Sequence, residues 1–227
     1  MENKIIIPLD LEHTDAIHMA KMLDPEICRL KVGSQLFTSS GPKIIKELHN
    51  LSFDIFLDLK FHDIPNTVHQ AIKSAADLGV WMVNVHASGG SKMLEASYKA
   101  LEGYPNPPLL IGVTVLTSVS EESLKEVGLS RLQEQVIKLA RLAKDNGLDG
   151  VVCAASDISS IKSKLGEDFI TVTPGIRPVH SNLNDQSRVS TPFEAIKNGS
   201  DYLVIGRPIT GSDNPKDALE KIYKEIS

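Results

Sequence analysis

The chain has 227 residues, 41% of them apolar, and carries 24 Lys and Arg against 29 Asp and Glu for a formal net charge of -5. That length can bury one substantial core as a single domain over residues 1–227, and the acidic balance argues against a surface for nucleic acid polymers. The only cysteines, Cys28 and Cys153, lie in apolar runs without the paired spacing of a zinc site, so buried free thiols in a reducing compartment are expected.

In chain order, strand-like runs fall at Lys4–Leu9, Cys28–Val32, Asp54–Leu59, Trp81–Val85, Leu109–Val115, Gly150–Cys153, Phe169–Thr173 and Asp201–Ile205. Helix-like segments separate them at Thr14–Leu23, Pro42–His49, Ile64–Leu78, Ser91–Leu101, Leu132–Asn146, Ser156–Leu165 and Pro192–Lys197, and a last helix covers Pro215–Ile226. Gly79, Gly103, Gly147, Gly166 and Gly199 stand where helix C-terminal caps are expected. Short apolar strands alternating with amphipathic helices predict a parallel sheet. About eight such units predict an α/β fold, a single closed (β/α)8 TIM barrel. An open doubly wound sheet is the alternative, weakened by the lack of a glycine fingerprint after the first strand. Pro8 cannot donate to a ladder, which predicts a local distortion in the first strand.

The run Ile5-Ile6-Ile7 is too short for a signal peptide, and the apolar stretch around Leu109 to Leu116 is broken by Gly112 and Thr114. No membrane span is expected, and the protein is expected to be cytoplasmic.

In a barrel of this kind chemistry sits at the C-terminal ends of the strands. The strand exits here are Asp10, Lys31, Asp58 with Lys60, His86, Thr117, Arg177 and Gly206-Arg207. Asp58 and Lys60 share one face of the third strand by period-two alternation. Asp63 reads as the N-cap of the next helix, with Pro65 in its first turn. A solvated salt-bridge cluster is the bland reading of Asp58, Lys60 and Asp63. A scaffold, however, gains nothing from aiming Lys31, Lys60 and Arg207 at one mouth, which favours an enzyme. After the last two strands come Thr173-Pro174-Gly175-Ile176-Arg177-Pro178 and Ile205-Gly206-Arg207-Pro208. These loops are the usual phosphate site of the architecture, with Gly206 admitting backbone N–H groups to an anion and Arg207 placed to clamp it. The long polar stretch from Gly175 to Pro192, with Arg177, Gln186 and Arg188, reads as a lid.

The run Asp58-Leu59-Lys60-Phe61-His62-Asp63-Ile64-Pro65-Asn66-Thr67 resembles the signature of the orotidine 5'-phosphate decarboxylase family. The resemblance extends along essentially the whole chain, through Pro8-Leu9-Asp10, Leu30-Lys31-Val32-Gly33, Val83-Asn84-Val85-His86-Ala87, Val115-Leu116-Thr117-Ser118, the Pro174–Pro178 segment with Asp185-Gln186, and Gly206-Arg207-Pro208. Pro8 departs from the small apolar residue more usual there.

The resemblance implies cofactor-free decarboxylation of orotidine 5'-monophosphate to uridine 5'-monophosphate, the last step of UMP synthesis. It implies a homodimer with shared active sites, Asp63 and Thr67 entering the partner's site. Lys31, Asp58, Lys60 and Asp63 would form the catalytic charge network. Asp58 would face the substrate carboxylate, and Lys60 would stabilise and then protonate the carbanion at C6. Asp10 and Lys31 would hold the ribose and Thr117 the base, while Arg177, Gln186 and Arg207 grip the phosphate. Ile64, Thr67, Pro174 and Gly206 complete the implied substrate-binding set.

Two rivals stand beside this reading. Metal-dependent sugar-phosphate enzymes with an Asp-x-Lys-x-x-Asp core resemble it, but they place an acidic ligand at the second strand exit, where this chain has Lys31. No metal is therefore expected. A silent nucleotide-binding module would leave both Asp58 and Lys60 unexplained. Among other residues, His62 is expected to face away from the site in a structural role, and His86 to help position its neighbours. His13, His18, His49, His69 and His180 show no metal spacing and read as surface or capping residues. Trp81 reads as core or rim packing.

Overall fold

A computed structural model describes residues 3–129, 131–178 and 190–227. Eight strands alternate with helices in the order β1 (Ile5–Pro8), α1 (His13–Met22), β2 (Arg29–Gly33), α2 (Ser34–Ser40), α3 (Lys43–His49), β3 (Ile55–Phe61), α4 (Pro65–Asp77), β4 (Met82–His86) and α5 (Ser91–Lys99). They continue with β5 (Leu109–Val113), α6 (Glu121–Glu126), α7 (Leu132–Asp145), β6 (Gly150–Val152), α8 (Ile158–Leu165), β7 (Ile170–Thr173), α9 (Pro192–Lys197), β8 (Tyr202–Val204), α10 (Arg207–Thr210) and α11 (Pro215–Ile226). Every strand pairs in parallel with its sequence neighbours, and β8 closes on β1, so the sheet is a (β/α)8 barrel.

All eight predicted strands form, and α2, α6 and α10 are additions to the predicted helices. α2 is short and rich in Ser and Thr, with Leu36 as its one buried residue, so it shows no apolar period. α6 begins at an N-cap, Ser120, whose hydroxyl accepts from the Ser123 N–H.

Period-two alternation divides each strand between two cores. Ile6, Phe56, Met82, Ile111, Val172 and Val204 point inward and fill the barrel. Ile5, Ile7, Leu30, Val32, Ile55 and Leu57 point outward into the larger core beneath the helices. α4 buries the face predicted for it, Val68, Ile72, Ala75 and Ala76. Cutting the fully buried Ile72 to alanine would cost about 2–5 kcal/mol.

The base of the barrel is closed by aromatic and charged side chains. The Arg29 guanidinium lies 4.1 Å from the Trp81 ring centre, Trp81 meets Tyr202 edge to face, and Arg29 Nε donates to Asp54 at 3.2 Å. Trp81 is thus interior packing at the N-terminal rim, as its sequence position suggested.

The distortion expected at Pro8 is absent from β1. Its pairing with β8 already ends at Ile6, so Pro8 loses no rung there. On the other side it pairs with Lys31, and the Leu9 N–H donates to the Lys31 carbonyl at 2.9 Å. The irregularity lies in β3 instead. Both cysteines are buried and outside any disulfide, as expected; burial, with the Asp24 charge, pushes the Cys28 thiol well up and keeps it inert. Among the described residues, no helix is long and apolar enough to cross a membrane.

Candidate active site

β3 delivers Asp58 and Lys60 to the C-terminal mouth through a break in its pairing with β4. Leu57 pairs with Val83 and Phe61 with Val85, so β3 advances four residues while β4 advances two. Within that bulge Lys60 takes a left-handed backbone, φ +51°. For a residue with a side chain this costs on the order of 1–2 kcal/mol, so the surroundings must hold it in place. Asn84, on β4 and fully buried, supplies a contact that does so. Its Oδ1 accepts the Lys60 N–H at 2.8 Å, and its Nδ2 donates to Asp58 Oδ1 at 2.7 Å.

The side chains converge on Asp58. Lys60 Nζ donates to Asp58 Oδ1 at 2.7 Å. From β2, Lys31 Nζ lies 2.9 Å from Asp58 Oδ2 and 3.6 Å from Asp10 Oδ1. Asp58 and Lys31 are buried, whereas the Lys60 side chain is 33% exposed and that of Asp10 63%. Burial alone would raise the Asp58 pKa, but the Lys31 and Lys60 charges override it and hold the carboxyl below its ordinary range. Burial works against the Lys31 ammonium too, and Asp58 with Asp10 reverses the outcome, raising its pKa. Gly33 makes room for this packing, since a Cβ there would stand 3.2 Å from Lys31 Nζ.

These groups line a cavity of about 730 Å³, the size of a pocket for a small organic ligand. Phe56, Val113, Val152, Val172 and Val204 form apolar parts of its wall. Of the residues singled out from sequence, Asp10, Lys31, Asp58, Lys60, Thr117, Pro174, Arg177, Gly206 and Arg207 all line it. Arg177 is buried, its Nη1 donating to the Ile176 carbonyl at 2.8 Å and its backbone N–H to the Ser190 carbonyl at 2.9 Å. A parallel bridge joins Ile176 to Ser190, tying together the two described ends of the loop. Arg207 is exposed at the rim. Beside it Gly206 meets the Pro8 ring closely, where a Cβ would come within 3.0 Å. Gln186, with Arg188, Asp185 and His180, lies outside the described residues.

Asp63, Ile64 and Thr67 are not brought into this cavity. They are exposed on the segment after β3, Ile64 at 67%. Asp63 is not the N-cap expected of it. Ile64 takes that place, with Pro65 opening the helix, and Asp63 Oδ1 accepts the Ile64 N–H at 2.7 Å. The extended backbone that a residue before proline prefers puts Ile64 in the cap position.

His86 is half-buried outside the cavity wall, its ring centre 5.5 Å from that of exposed His62. Burial, His62 and Lys60 together lower the His86 pKa. His13 and His69 join helices: His13 contacts Ser40 and Glu47, and His69 the Ala96 carbonyl. No cluster of three or more His, Cys, Asp or Glu side chains suited to a metal ion occurs among the described residues.

The sequence reading assigned Asn84 no role. The available signal was an amide in the apolar strand Met82-Val83-Asn84-Val85, where a buried polar group demands partners.

The orotidine 5'-phosphate decarboxylase / HUMPS family matches residues 3–222. The chain is 54% identical over 226 residues to the orotidine 5'-phosphate decarboxylase of Saccharophagus degradans, covering 99% of this chain and 95% of the relative. The crystal structure of orotidine 5'-phosphate decarboxylase from Lactobacillus acidophilus superposes with a TM-score of 0.88 at 39% identity, covering 100% of both chains. That from Pyrococcus horikoshii superposes with a TM-score of 0.79 at 26% identity, over 98% of each. With a shared barrel, full-length similarity and the charged cavity at the expected strand ends, this chain belongs to the orotidine 5'-phosphate decarboxylase / HUMPS family.

Proposed function

We propose that the protein decarboxylates orotidine 5'-monophosphate to uridine 5'-monophosphate, using its own side chains without a cofactor. The observation that carries this is the Asp58 carboxylate held between the Lys31 and Lys60 ammoniums in a cavity large enough for a nucleotide.

In this reading the phosphate rests against Arg207, Arg177, Pro174 and the Gly206 backbone, with Gln186 from the loop. Charge-assisted hydrogen bonds far from the reacting carbon then favour closure and catalysis as well as binding. Asp10 and Lys31 take the ribose hydroxyls and Thr117 the base. The substrate carboxylate faces Asp58, and like-charge repulsion is relieved as the bond from C6 to the carboxylate breaks and carbon dioxide leaves. The electron pair remains on C6, where the preorganised Lys60 ammonium stabilises it and then donates a proton. The partial exposure of Lys60 gives it a route to recover that proton from solvent.

We assign Asp63, Ile64 and Thr67 to the site of a second copy in a homodimer. Their exposure on the segment that leaves Lys60, with a large apolar side chain among them, supports this.

A metal-dependent sugar-phosphate reaction is disfavoured by the donor set. Asp58 and Asp10, the carboxylates a divalent cation would require, already flank the Lys31 ammonium. The test is loss of orotidine monophosphate absorbance with purified protein, with and without chelator. Turnover is expected in both, and Lys60→Ala should lower kcat about 1,000-fold or more while nucleotide binding persists. Chelator-sensitive turnover, or substantial activity in the variant, would overturn the assignment.

A further inference from the structure

We infer that Asn84 is a positioning residue that sets both members of the Asp58–Lys60 pair, a role that rests on the proposed decarboxylation. Its amide touches the backbone of one and the carboxylate of the other, and no cavity-lining surface belongs to it.

The two partners fix the chemistry required at this position. The Lys60 N–H only donates and the ionised Asp58 carboxylate only accepts, so the residue between them must offer one acceptor and one donor at fixed separation. A side-chain amide meets that demand, and its orientation follows from the partners: Oδ1 toward Lys60 N at 2.8 Å and Nδ2 toward Asp58 Oδ1 at 2.7 Å. Aspartate preserves the acceptor but sets a second carboxylate against Asp58. Leucine leaves two buried polar groups unsatisfied by this side chain, each loss costing stability and geometry.

The first contact acts on the backbone. Lys60 is in a left-handed conformation inside the bulge, which the chain would not adopt unaided. The hydrogen bond from its N–H helps hold that conformation and so directs the side chain into the cavity. The second contact acts on the carboxylate. Asp58 Oδ1 accepts from both Asn84 Nδ2 and Lys60 Nζ, which fixes the carboxylate plane and the place where the ammonium waits. Oδ2 is held by Lys31. Asn84 therefore acts on the proton donor through two routes, neither of which touches substrate.

The experiment compares wild type, Asn84→Ala and Asn84→Asp by steady-state kinetics, uridine monophosphate binding, and hydrogen exchange of the Lys60 backbone amide. The alanine variant should lose about 100-fold in kcat, the scale of a lost preorganised hydrogen bond. Its KM and product affinity should stay within a few-fold of wild type, because the phosphate and ribose contacts are elsewhere. The Lys60 amide should exchange faster in Asn84→Ala and keep its protection in Asn84→Asp, which retains the acceptor. Asn84→Asp should still lose kcat through its clash with Asp58. An alanine variant that keeps wild-type kcat, or loses kcat, KM and product affinity together, would overturn the positioning role. Unchanged Lys60 exchange in Asn84→Ala would overturn it even if wild type failed to decarboxylate orotidine monophosphate, an outcome that by itself removes only the proposed reaction.

Discussion

The barrel carries a buried charge cluster at each end, and the two are built on opposite principles. At the base, the Lys162 ammonium on α8 directs its three protons to the Glu167 carbonyl at 2.6 Å, the Phe169 carbonyl at 3.1 Å and Asp201 Oδ2 at 2.8 Å. That carboxylate oxygen also accepts from the Thr171 N–H and hydroxyl. Most of these partners belong to the backbone, so the cluster is saturated by groups that only folding brings together. At the mouth, one carboxylate is divided between two lysines, and the partly exposed Lys60 faces a cavity of about 730 Å³. The contrast shows how to read a buried lysine. One whose donors end on main-chain carbonyls serves the fold, whereas one that competes with another cation for a carboxylate at a cavity wall is available for chemistry.

Interrupting the mouth from outside the chain has the largest expected effect. Asp63→Ala and Lys60→Ala chains should each be nearly inactive. On the proposed shared-site arrangement, chains that are mixed and exchange should form heterodimers with about half of the wild-type activity, because a two-fold pairing would create one site with both defects and one with neither. Demonstrated exchange without recovered activity would return Asp63 to its own barrel. Next, Arg207→Ala should lower kcat/KM by about 10- to 100-fold, the scale of lost charge-assisted hydrogen bonds. Gln186→Ala should cost less, and a substrate lacking phosphate should be nearly indifferent to either change. Equal losses on both substrates would remove the phosphate-gripping role.

The base should answer in stability and not in rate. Lys162→Ala should leave kcat unchanged and lower stability by about 2 kcal/mol, a figure reduced because Asp201 is partly exposed. That corresponds to a fall in Tm of roughly 4–8 °C. A large kcat loss would erase the distinction between the two ends.

The smallest effect is the pH response of the mouth. The folded-state pKa of Asp58 is depressed, so its contribution to stability is complete above its ordinary value of 3.8 and drains away as pH falls through the lower folded value. The Lys31 pKa is raised, so its contribution is complete below 10.5 and is lost as pH rises through the folded value. Carboxyl-carbon NMR should therefore find Asp58 still ionised at pH 3.8. A midpoint above that value would show that burial defeats the two lysines.

The sequence alone was enough for the eight strands, the parallel barrel and nine of the residues that line the cavity, because apolar period and strand-exit chemistry are local signals. It was also enough to separate Trp81 from the site. It misplaced the strain, since Pro8 announces a missing donor but not where the β8 ladder stops. It also misplaced the cap at Asp63, one residue early. What only the tertiary structure decided is how the charges are held. The left-handed Lys60, the slip between β3 and β4, and the amide of Asn84 joining Lys60 to Asp58 depend on residues 24 and 26 positions apart in the chain. Local propensity reports what each residue prefers by itself. A backbone conformation that its own residue disfavours is maintained only by partners that folding brings alongside.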